Sequence, residues 1–241
     1  MAVGNSELHG YDQAQKEMME ENCIVVDDDD NIIGQDSKVN CHLKEGKLHR
    51  AFSVLLFNSE DKLLIQQRAD EKITFPSIWA NSCCSHPLYQ DGEENGIEGA
   101  KKAAIRKLDQ ELGINAGEIN ASDLYFITKM LYKARADEKW VENEVDYIFV
   151  VKKDVQINPN LNEIQNTKYV NIKELNDIFE ESNSGDIRIG PWFRLIKENF
   201  LNSIWRNLNS LDKIKDSKVH DMGEVKCCLL YTSDAADELR S

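Results

Sequence analysis

The sequence predicts a mixed α/β (α+β) fold, because strand and helix patterns both occur along its 241 residues. The strongest strand signal is the continuous apolar run at residues 52–57, which is typical of a buried strand. The strongest helix signal lies at residues 97–112, where apolar residues recur at helical spacing and Gly113 follows as a terminator. We therefore expect strands and helices together in one fold.

Weaker sequence patterns predict further strands and helices on either side of these two segments. We expect strands at 23–26, 32–33, 63–68, 125–134 and 141–152, and helices at 11–22, 171–181 and from Pro191 onward. The periodic pattern disappears at about Lys215. The predicted organisation is a helical N-terminal extension (1–22), one domain (23–214) and an unstructured tail (215–241). We interpret the last part of that tail, after about residue 222, as non-native read-through.

Composition restricts the classes of function. The formal net charge is −14, from 29 Lys and Arg against 43 Asp and Glu, which disfavours a nucleic-acid or membrane partner. The sequence has no run of 18 apolar residues, and residues 1–21 lack the pattern of a signal peptide. The six cysteines, at 23, 41, 83, 84, 227 and 228, lack the spacing of a disulfide framework. We therefore expect a reducing compartment, the cytoplasm, with the peroxisome as an open alternative.

A loop predicted at residues 79–87 carries two thiols and one imidazole, at Cys83, Cys84 and His86. In an extended backbone, side chains two residues apart point the same way, so Cys84 and His86 are expected to face one pocket. The alternative, which the sequence leaves open, is that both cysteines are small buried apolar residues and the histidine is a loop residue.

Carboxylates occur at two places where mutual repulsion or burial would be costly. Glu142, Glu144 and Asp146 share one face of a predicted strand, with Glu142 and Glu144 about 7 Å apart, so they repel unless a cation or a proton lies between them. Glu111 falls inside the apolar arc of the helix at 97–112, where an unpaired charge is costly. A solvated strand face, and a glutamate at the rim that bends to solvent, are the alternatives.

Five metal-ligand side chains come from separate predicted elements: His42, His49, His86, Glu142 and Glu144. Imidazoles with carboxylates suit a divalent ion such as Mg²⁺, Mn²⁺ or Zn²⁺, and five ligands favour six-coordination over a tetrahedral structural site. Lys38, Arg68 and Lys72 supply positive charge for an anion despite the acidic composition.

With these residues identified, the sequence resembles the type I isopentenyl-diphosphate Δ-isomerases of the eukaryotic kind, from about Cys23 to His220. The resemblance is carried by the segments at 38–43, 48–54, 81–88, 132–134, 140–147 and 190–193. It implies that residues 23–214 form a Nudix-like isomerase domain, an α/β/α sandwich with a mixed central sheet.

The predicted helix keeps the spacing of a Nudix box, at Gly92, Glu98 and residues 106–114. Lys107 and Gln110 occupy positions where a Nudix hydrolase has carboxylates, which such an enzyme needs to hold cations and activate water. This departure disfavours a Nudix-type diphosphate hydrolase. That activity, and an inactive prenyl-diphosphate-binding homologue, remain the alternative functions.

The resemblance implies interconversion of isopentenyl and dimethylallyl diphosphate in isoprenoid biosynthesis, by antarafacial proton addition and removal through a tertiary carbocation. The implied catalytic residues are Cys84, Glu144, Tyr132 and Trp192, and the implied diphosphate contacts are Lys38, Arg68, Lys72 and Ser85. The implied metal ligands are His42, His49, His86, Glu142 and Glu144 for one divalent ion, and Glu111 for a diphosphate-bound Mg²⁺. The expected partner is a small prenyl diphosphate, and the expected state is a monomer.

Overall fold

The computed structural model describes residues 7–115, 117–185 and 187–225. The strands are β1 (Asn22–Val26), β2 (Ile32–Ser37), β3 (His49–Phe57), β4 (Leu63–Arg68), β5 (Trp79–Ala80), β6 (Cys83–Ser85), β7 (Tyr125–Arg135), β8 (Val141–Lys152), β9 (Ile164–Val170) and β10 (Val219–Val225). The helices are α1 (Gln13–Met19), α2 (Lys38–His42), α3 (Gly96–Leu112), α4 (Ile172–Glu181), α5 (Pro191–Ile196) and α6 (Asn202–Arg206). A π-helical segment, Lys197–Leu201, joins the last two.

The central strand of the sheet is β3, whose nine residues are all buried. It runs parallel to β8, with His49 opposite Glu144 and Phe57 opposite Lys152, and antiparallel to β6. The strand order β10-β7-β8-β3-β1-β2 contains both parallel and antiparallel pairs, so the sheet is mixed as predicted. The helix α3 packs into one buried apolar cluster, and α4 with α5 packs into another. The predicted α/β fold is therefore confirmed.

Local signals in the sequence account for the helix ends. Gly113 adopts a left-handed conformation with φ of 63° and ends α3, where an L side chain would be strained. Asn171 and Glu174 form a complete capping box at the start of α4. Pro191 occupies the first turn of α5, where its missing N–H leaves no donor unpaired.

Five elements were not predicted: α2, β5, β6, β9 and β10. Residues 79–87, predicted as a loop, contain the two short strands β5 and β6. The prediction that the tail from residue 215 is unstructured is wrong for residues 219–225, which pair in parallel with β7 at the edge of the sheet. An edge strand has one partner, and β10 is only partly buried, so its sequence shows no clear apolar alternation. Residues 226–241, which include most of the segment interpreted as non-native, lie outside the described residues. Within the described ranges, the structure contains no helix that is both long and apolar enough to cross a membrane.

The close approach of α3 to the loop before it can be tested at Gly99. A methyl group added there would overlap the backbone carbonyl of Glu93. Although Gly→Ala usually stabilises a helix interior, we expect Gly99→Ala to lower the free energy of unfolding by about 2 kcal/mol, because the loop must move. Urea denaturation measures this change.

Gly34→Ala is the matched control, because a methyl group at Gly34 would have open space around it. We expect its effect to stay within about 0.5 kcal/mol. Equal effects of the two substitutions would contradict the tight packing of α3 on this loop.

Candidate active site

A cavity opens where the first residues of β3 and β8 meet β6 and helix α1. Eleven of the thirteen residues predicted for the site line it: Lys38, Arg68, Lys72, Cys84, Ser85, His86, Glu111, Tyr132, Glu142, Glu144 and Trp192. The other two, His42 and His49, are buried beside Glu142 and Glu144. The fold therefore brings all thirteen predicted residues to one place.

The three imidazoles and two carboxylates form a compact buried cluster. One ligand atom from each of the five residues lies within 4.8 Å of the others. The Nε2 atom of His42 is 2.9 Å from Oε2 of Glu142, and Nε2 of His86 is 2.8 Å from Oε1 of Glu144. Helix α2 supplies His42, while β3 and β8 supply His49 and Glu144 as register partners.

Backbone groups orient two of these imidazoles. The Nδ1 atom of His42 lies 2.7 Å from the Lys38 carbonyl, and Nδ1 of His49 lies 2.7 Å from the Lys47 carbonyl. Nδ1 then donates, and the Nε2 lone pair of each ring faces the cluster. Burial lowers the pKa of His49 to about 3, so the ring is neutral at pH 7, as a metal ligand must be.

Several buried atoms in the cluster make no hydrogen bond: Nε2 of His42, Nε2 of His49, Nδ1 of His86 and Oε2 of Glu142. Nε2 of His42 and Oε2 of Glu142 lie 2.9 Å apart, but both are acceptors when Nδ1 of His42 donates to the Lys38 carbonyl. Buried polar atoms are normally paired, and unpaired ones are costly. A divalent cation accepts lone pairs of this kind without needing hydrogen-bond geometry. The donor set therefore fits a metal ion.

Glu144 also contacts a hydroxyl group on the neighbouring strand. The Tyr132 hydroxyl donates to Oε2 of Glu144 over 2.5 Å, because β7 and β8 pair these two residues directly. Burial and the charge of Glu142 raise the pKa of Glu144. A cation on the cluster would act in the opposite direction.

The two adjacent thiols have different surroundings because successive strand residues face opposite sides. Cys84 lines the cavity together with His86, as their two-residue spacing predicts. Burial raises the pKa of Cys84 to about 12, which keeps the thiol protonated at neutral pH. Cys83 is fully buried, and its Sγ lies 3.6 Å from Oε2 of Glu111.

The indole of Trp192 is held rigidly at the cavity wall. Its Nε1 donates to Oδ1 of Asn81 over 3.0 Å, and Phe75 packs edge-on against the ring. The Arg68 guanidinium carbon lies 5.7 Å from the ring centre, in the range of a cation–π contact. Backbone carbonyls of Thr74 and Phe75 accept from that guanidinium and orient it.

Two lysine–glutamate ion pairs lie beside the same cavity. Glu111 is buried, as its place in the apolar arc predicts, and the required cation is Lys107, whose Nζ is 3.2 Å from Oε1 of Glu111. Lys72 forms an ion pair of 2.7 Å with Glu163. Burial lowers the pKa of Lys72 to about 8.

Sequence reasoning did not identify some residues that line the cavity. Gln15, Met18 and Met19 reach it from α1, which had been predicted only as an extension. Asp146 was placed on the correct strand face but was given no role. It accepts from the Ser53 hydroxyl over 2.8 Å, and burial raises its pKa to about 8. The alternation along β8 indicates that Asp146 lies on the same face as Glu142 and Glu144. No local pattern indicates that Gln15, Met18 and Met19 reach the cavity.

Comparison with known proteins adds independent information. The NUDIX domain family model matches residues 47–193. Isopentenyl-diphosphate Delta-isomerase 1 of Mesocricetus auratus is 48% identical over 218 residues, which cover 88% of this chain and 96% of that relative. Isopentenyl-diphosphate delta-isomerase idi1 of Aspergillus fumigatus is 47% identical over 236 residues, with 90% of this chain and 84% of that relative covered.

Among solved structures, DR0079 of Deinococcus radiodurans is similar in fold, with a TM-score of 0.54 at 18% identity. The match covers 75% of this chain and 99% of that one. The identity is low, so this similarity concerns the fold alone. From the family model and the extended identity to the curated relatives, the chain belongs to the NUDIX-domain proteins and, within them, to the isopentenyl-diphosphate Delta-isomerases.

Proposed function

We propose that this protein interconverts isopentenyl diphosphate and dimethylallyl diphosphate, as the names of its relatives indicate. The observation that carries the proposal is that one buried cavity is lined by the Cys84 thiol, the hydrogen-bonded Glu144–Tyr132 pair and the Trp192 ring. Moving a carbon–carbon double bond by one position requires a proton added at one carbon and a proton removed two carbons away. A proton donor, a proton acceptor and a surface that tolerates positive charge meet this requirement.

Cys84 and Glu144 are the proposed proton carriers, one on each face of the alkene. The high pKa of Cys84 keeps its proton on sulfur until it is transferred. Tyr132 shares a hydrogen bond with Glu144 and assists the carboxyl group. Which of the two groups donates and which accepts is reversed with the direction of the reaction.

Protonation of an unactivated alkene gives a tertiary carbocation, which water would trap as an alcohol. The buried cavity would exclude water. The ring face of Trp192, whose indole is held by its hydrogen bond to Asn81, would stabilise a desolvated carbocation by about 2 kcal/mol. The proposed diphosphate contacts are Lys38, Arg68, Lys72 and Ser85. They would bind the diphosphate and so fix the position of the alkene between Cys84 and Glu144.

His42, His49, His86, Glu142 and Glu144 would hold one divalent ion, for which we propose Mg²⁺, Mn²⁺ or Zn²⁺, and Glu111 would hold a Mg²⁺ that accompanies the diphosphate. When bound, these ions supply fixed positive charge that orients Glu144, modulates its acidity and offsets the charge of the substrate. We further propose a monomer in the cytoplasm that acts on a small molecule without nucleic acid or a membrane.

A Nudix-type hydrolase is the less favoured function, and the reason lies in α3. Lys107 is buried at a position where such a hydrolase has a carboxylate, and it pairs with Glu111. An ammonium group cannot ligate a cation or accept a proton from water. This helix therefore lacks the usual means of activating a hydrolytic water.

The proposed reaction is tested by incubating the purified protein with isopentenyl diphosphate and Mg²⁺ in D₂O and following it by NMR. We expect dimethylallyl diphosphate with deuterium incorporated at carbon, because each turnover exchanges a proton with solvent. Unchanged substrate would favour an inactive homologue. Release of phosphate or pyrophosphate would indicate hydrolysis.

The adjacent thiols provide a matched pair of variants. We expect Cys84→Ala to lower turnover at least about 1,000-fold, because it removes a proposed proton carrier. We expect Cys83→Ala to have a far smaller effect, since Cys83 is buried away from the cavity. Rates from the NMR assay give the comparison, and equal losses would show that the wrong thiol has been assigned.

The metal cluster can be tested without activity. We expect His49→Ala to abolish the rise in melting temperature that Mn²⁺ or Zn²⁺ gives the unchanged protein, and to reduce bound metal measured by elemental analysis. His220→Ala is the control, because that histidine is partly exposed and pairs with Asp216 instead. Retained metal in His49→Ala would contradict the proposed ligand set.

A further inference from the structure

Glu163 lies next to the cavity, yet neither the family resemblance nor the strand pattern gives it a role. Its buried carboxylate is 2.7 Å from Nζ of Lys72 and 3.9 Å from Nζ of Lys107. The Gln15 side chain donates to the same carboxylate over 2.6 Å. One carboxylate thus contacts two cations and one neutral donor, which come from three separate parts of the chain.

The sheet fixes this carboxylate in position. Arg68 pairs with Ile164 across β4 and β9, and the Glu163 carbonyl accepts from the Ala69 N–H over 3.0 Å. The chain then turns after Ala69, where the Lys72 N–H donates to the Ala69 carbonyl. This turn returns the Lys72 side chain to Glu163. The pairing therefore follows from backbone geometry rather than from two mobile surface side chains.

The charges in this region balance in pairs. Lys107 contacts Glu111 and lies near Glu163, while the only ion pair found for Lys72 within the described residues is with Glu163. A buried ammonium group without a counter-anion is costly and tends to lose its proton. Lys72 thus depends on Glu163 more than Lys107 does.

We propose that Glu163 is a positioning residue for the reaction: it keeps the Lys72 ammonium group charged and directed at the diphosphate, with Gln15 of α1 as its neutral partner. This inference rests on the proposed function, because it takes Lys72 to be a diphosphate contact. Glu163 itself does not contact the reacting atoms in this scheme. It acts through Lys72.

The charged groups around Lys72 give this role a pH dependence. The pKa of Lys72 is lowered to about 8, because burial and, to a smaller extent, the charges of Arg68 and Lys107 outweigh the opposing charges of Glu163 and, more weakly, Glu111. Without the Glu163 charge, the pKa of Lys72 falls, so a smaller fraction of the amine is charged at neutral pH. Anion binding is then weaker at neutral pH and recovers at lower pH.

The test compares Glu163→Gln with the unchanged protein, using inorganic pyrophosphate with Mg²⁺ in calorimetry and isopentenyl diphosphate in the NMR assay. At pH 7.5 we expect pyrophosphate to bind about tenfold or more weakly and the KM to rise by a similar factor, with kcat changed far less. The loss should shrink at pH 6.5. Calorimetry does not depend on turnover, so it tests Glu163 even if the proposed reaction is wrong.

Asp30→Asn is the matched control. Asp30 is also a buried carboxylate, held by Arg50, Lys129 and the Tyr147 hydroxyl, but it does not line the cavity. We expect its loss to lower the melting temperature without changing pyrophosphate binding. A similar binding loss in Asp30→Asn and Glu163→Gln would attribute the effect to general destabilisation and overturn the proposal.

Two further variants distinguish an effect through Lys72 from an effect on folding. In a Lys72→Met background, Glu163→Gln should cause no additional loss of pyrophosphate binding, because Glu163 acts through Lys72. Glu163→Asp keeps the charge, so it should bind a few-fold more weakly with the pH profile of the unchanged protein, and it replaces Glu163→Gln if that variant does not fold. Additive losses, or unchanged binding in the glutamate variants, would overturn the proposal.

Discussion

Burial of like charges on one face of β8 is the constraint on which the rest of the site depends. Glu142, Glu144 and Asp146 alternate along a strand that is buried on both faces, so none of them is well hydrated. Such a row is stable only if cations, protons or hydrogen-bond donors surround it. The Tyr132 hydroxyl donates to Glu144 and the Ser53 hydroxyl donates to Asp146. The imidazoles of His42 and His49 face these carboxylates with lone pairs, which leaves the remaining charge for the proposed cation. The buried carboxylates of β8 therefore determine both which groups must surround them for the fold to be stable and which groups are available in the proposed site.

Strand pairing fixes the positions of the side chains around these carboxylates. The parallel register of β3 and β8 places His49 beside Glu144, and the antiparallel pairing of β7 places Tyr132 beside the same carboxylate. The short strand β6 then brings Cys84 opposite Ser53. Because each residue sits on a rigid strand, the proposed proton carriers do not rely on loop ordering to meet.

The sequence pattern correctly predicted which face a residue occupies where that face follows from the local strand or helix period. Alternation placed Glu142, Glu144 and Asp146 on one face, and helical spacing placed Glu111 in the buried arc of α3. Glu163 and Gln15 were not predicted, because they are 148 positions apart and their contact depends on how α1 packs against the loop before β9. Helix α2 was missed because five residues are too few to show a period.

Charge is also unevenly distributed around the cavity, and on the proposed function this distribution would orient a prenyl diphosphate. Lys72, with Lys107 and Arg68 around it, provides a region that attracts an anion but is neutralised in part by Glu163 and Glu111. Cys84 and Trp192 contribute neutral, polarisable side chains to the lining, with the Arg68 guanidinium 5.7 Å from the Trp192 ring centre. On the proposed function, the anionic head group would lie at Lys72 and the apolar tail near Cys84 and Trp192. Lys107, at a Nudix carboxylate position, thus does more than disfavour hydrolysis, because its charge also offsets the buried carboxylates Glu111 and Glu163 beside Lys72.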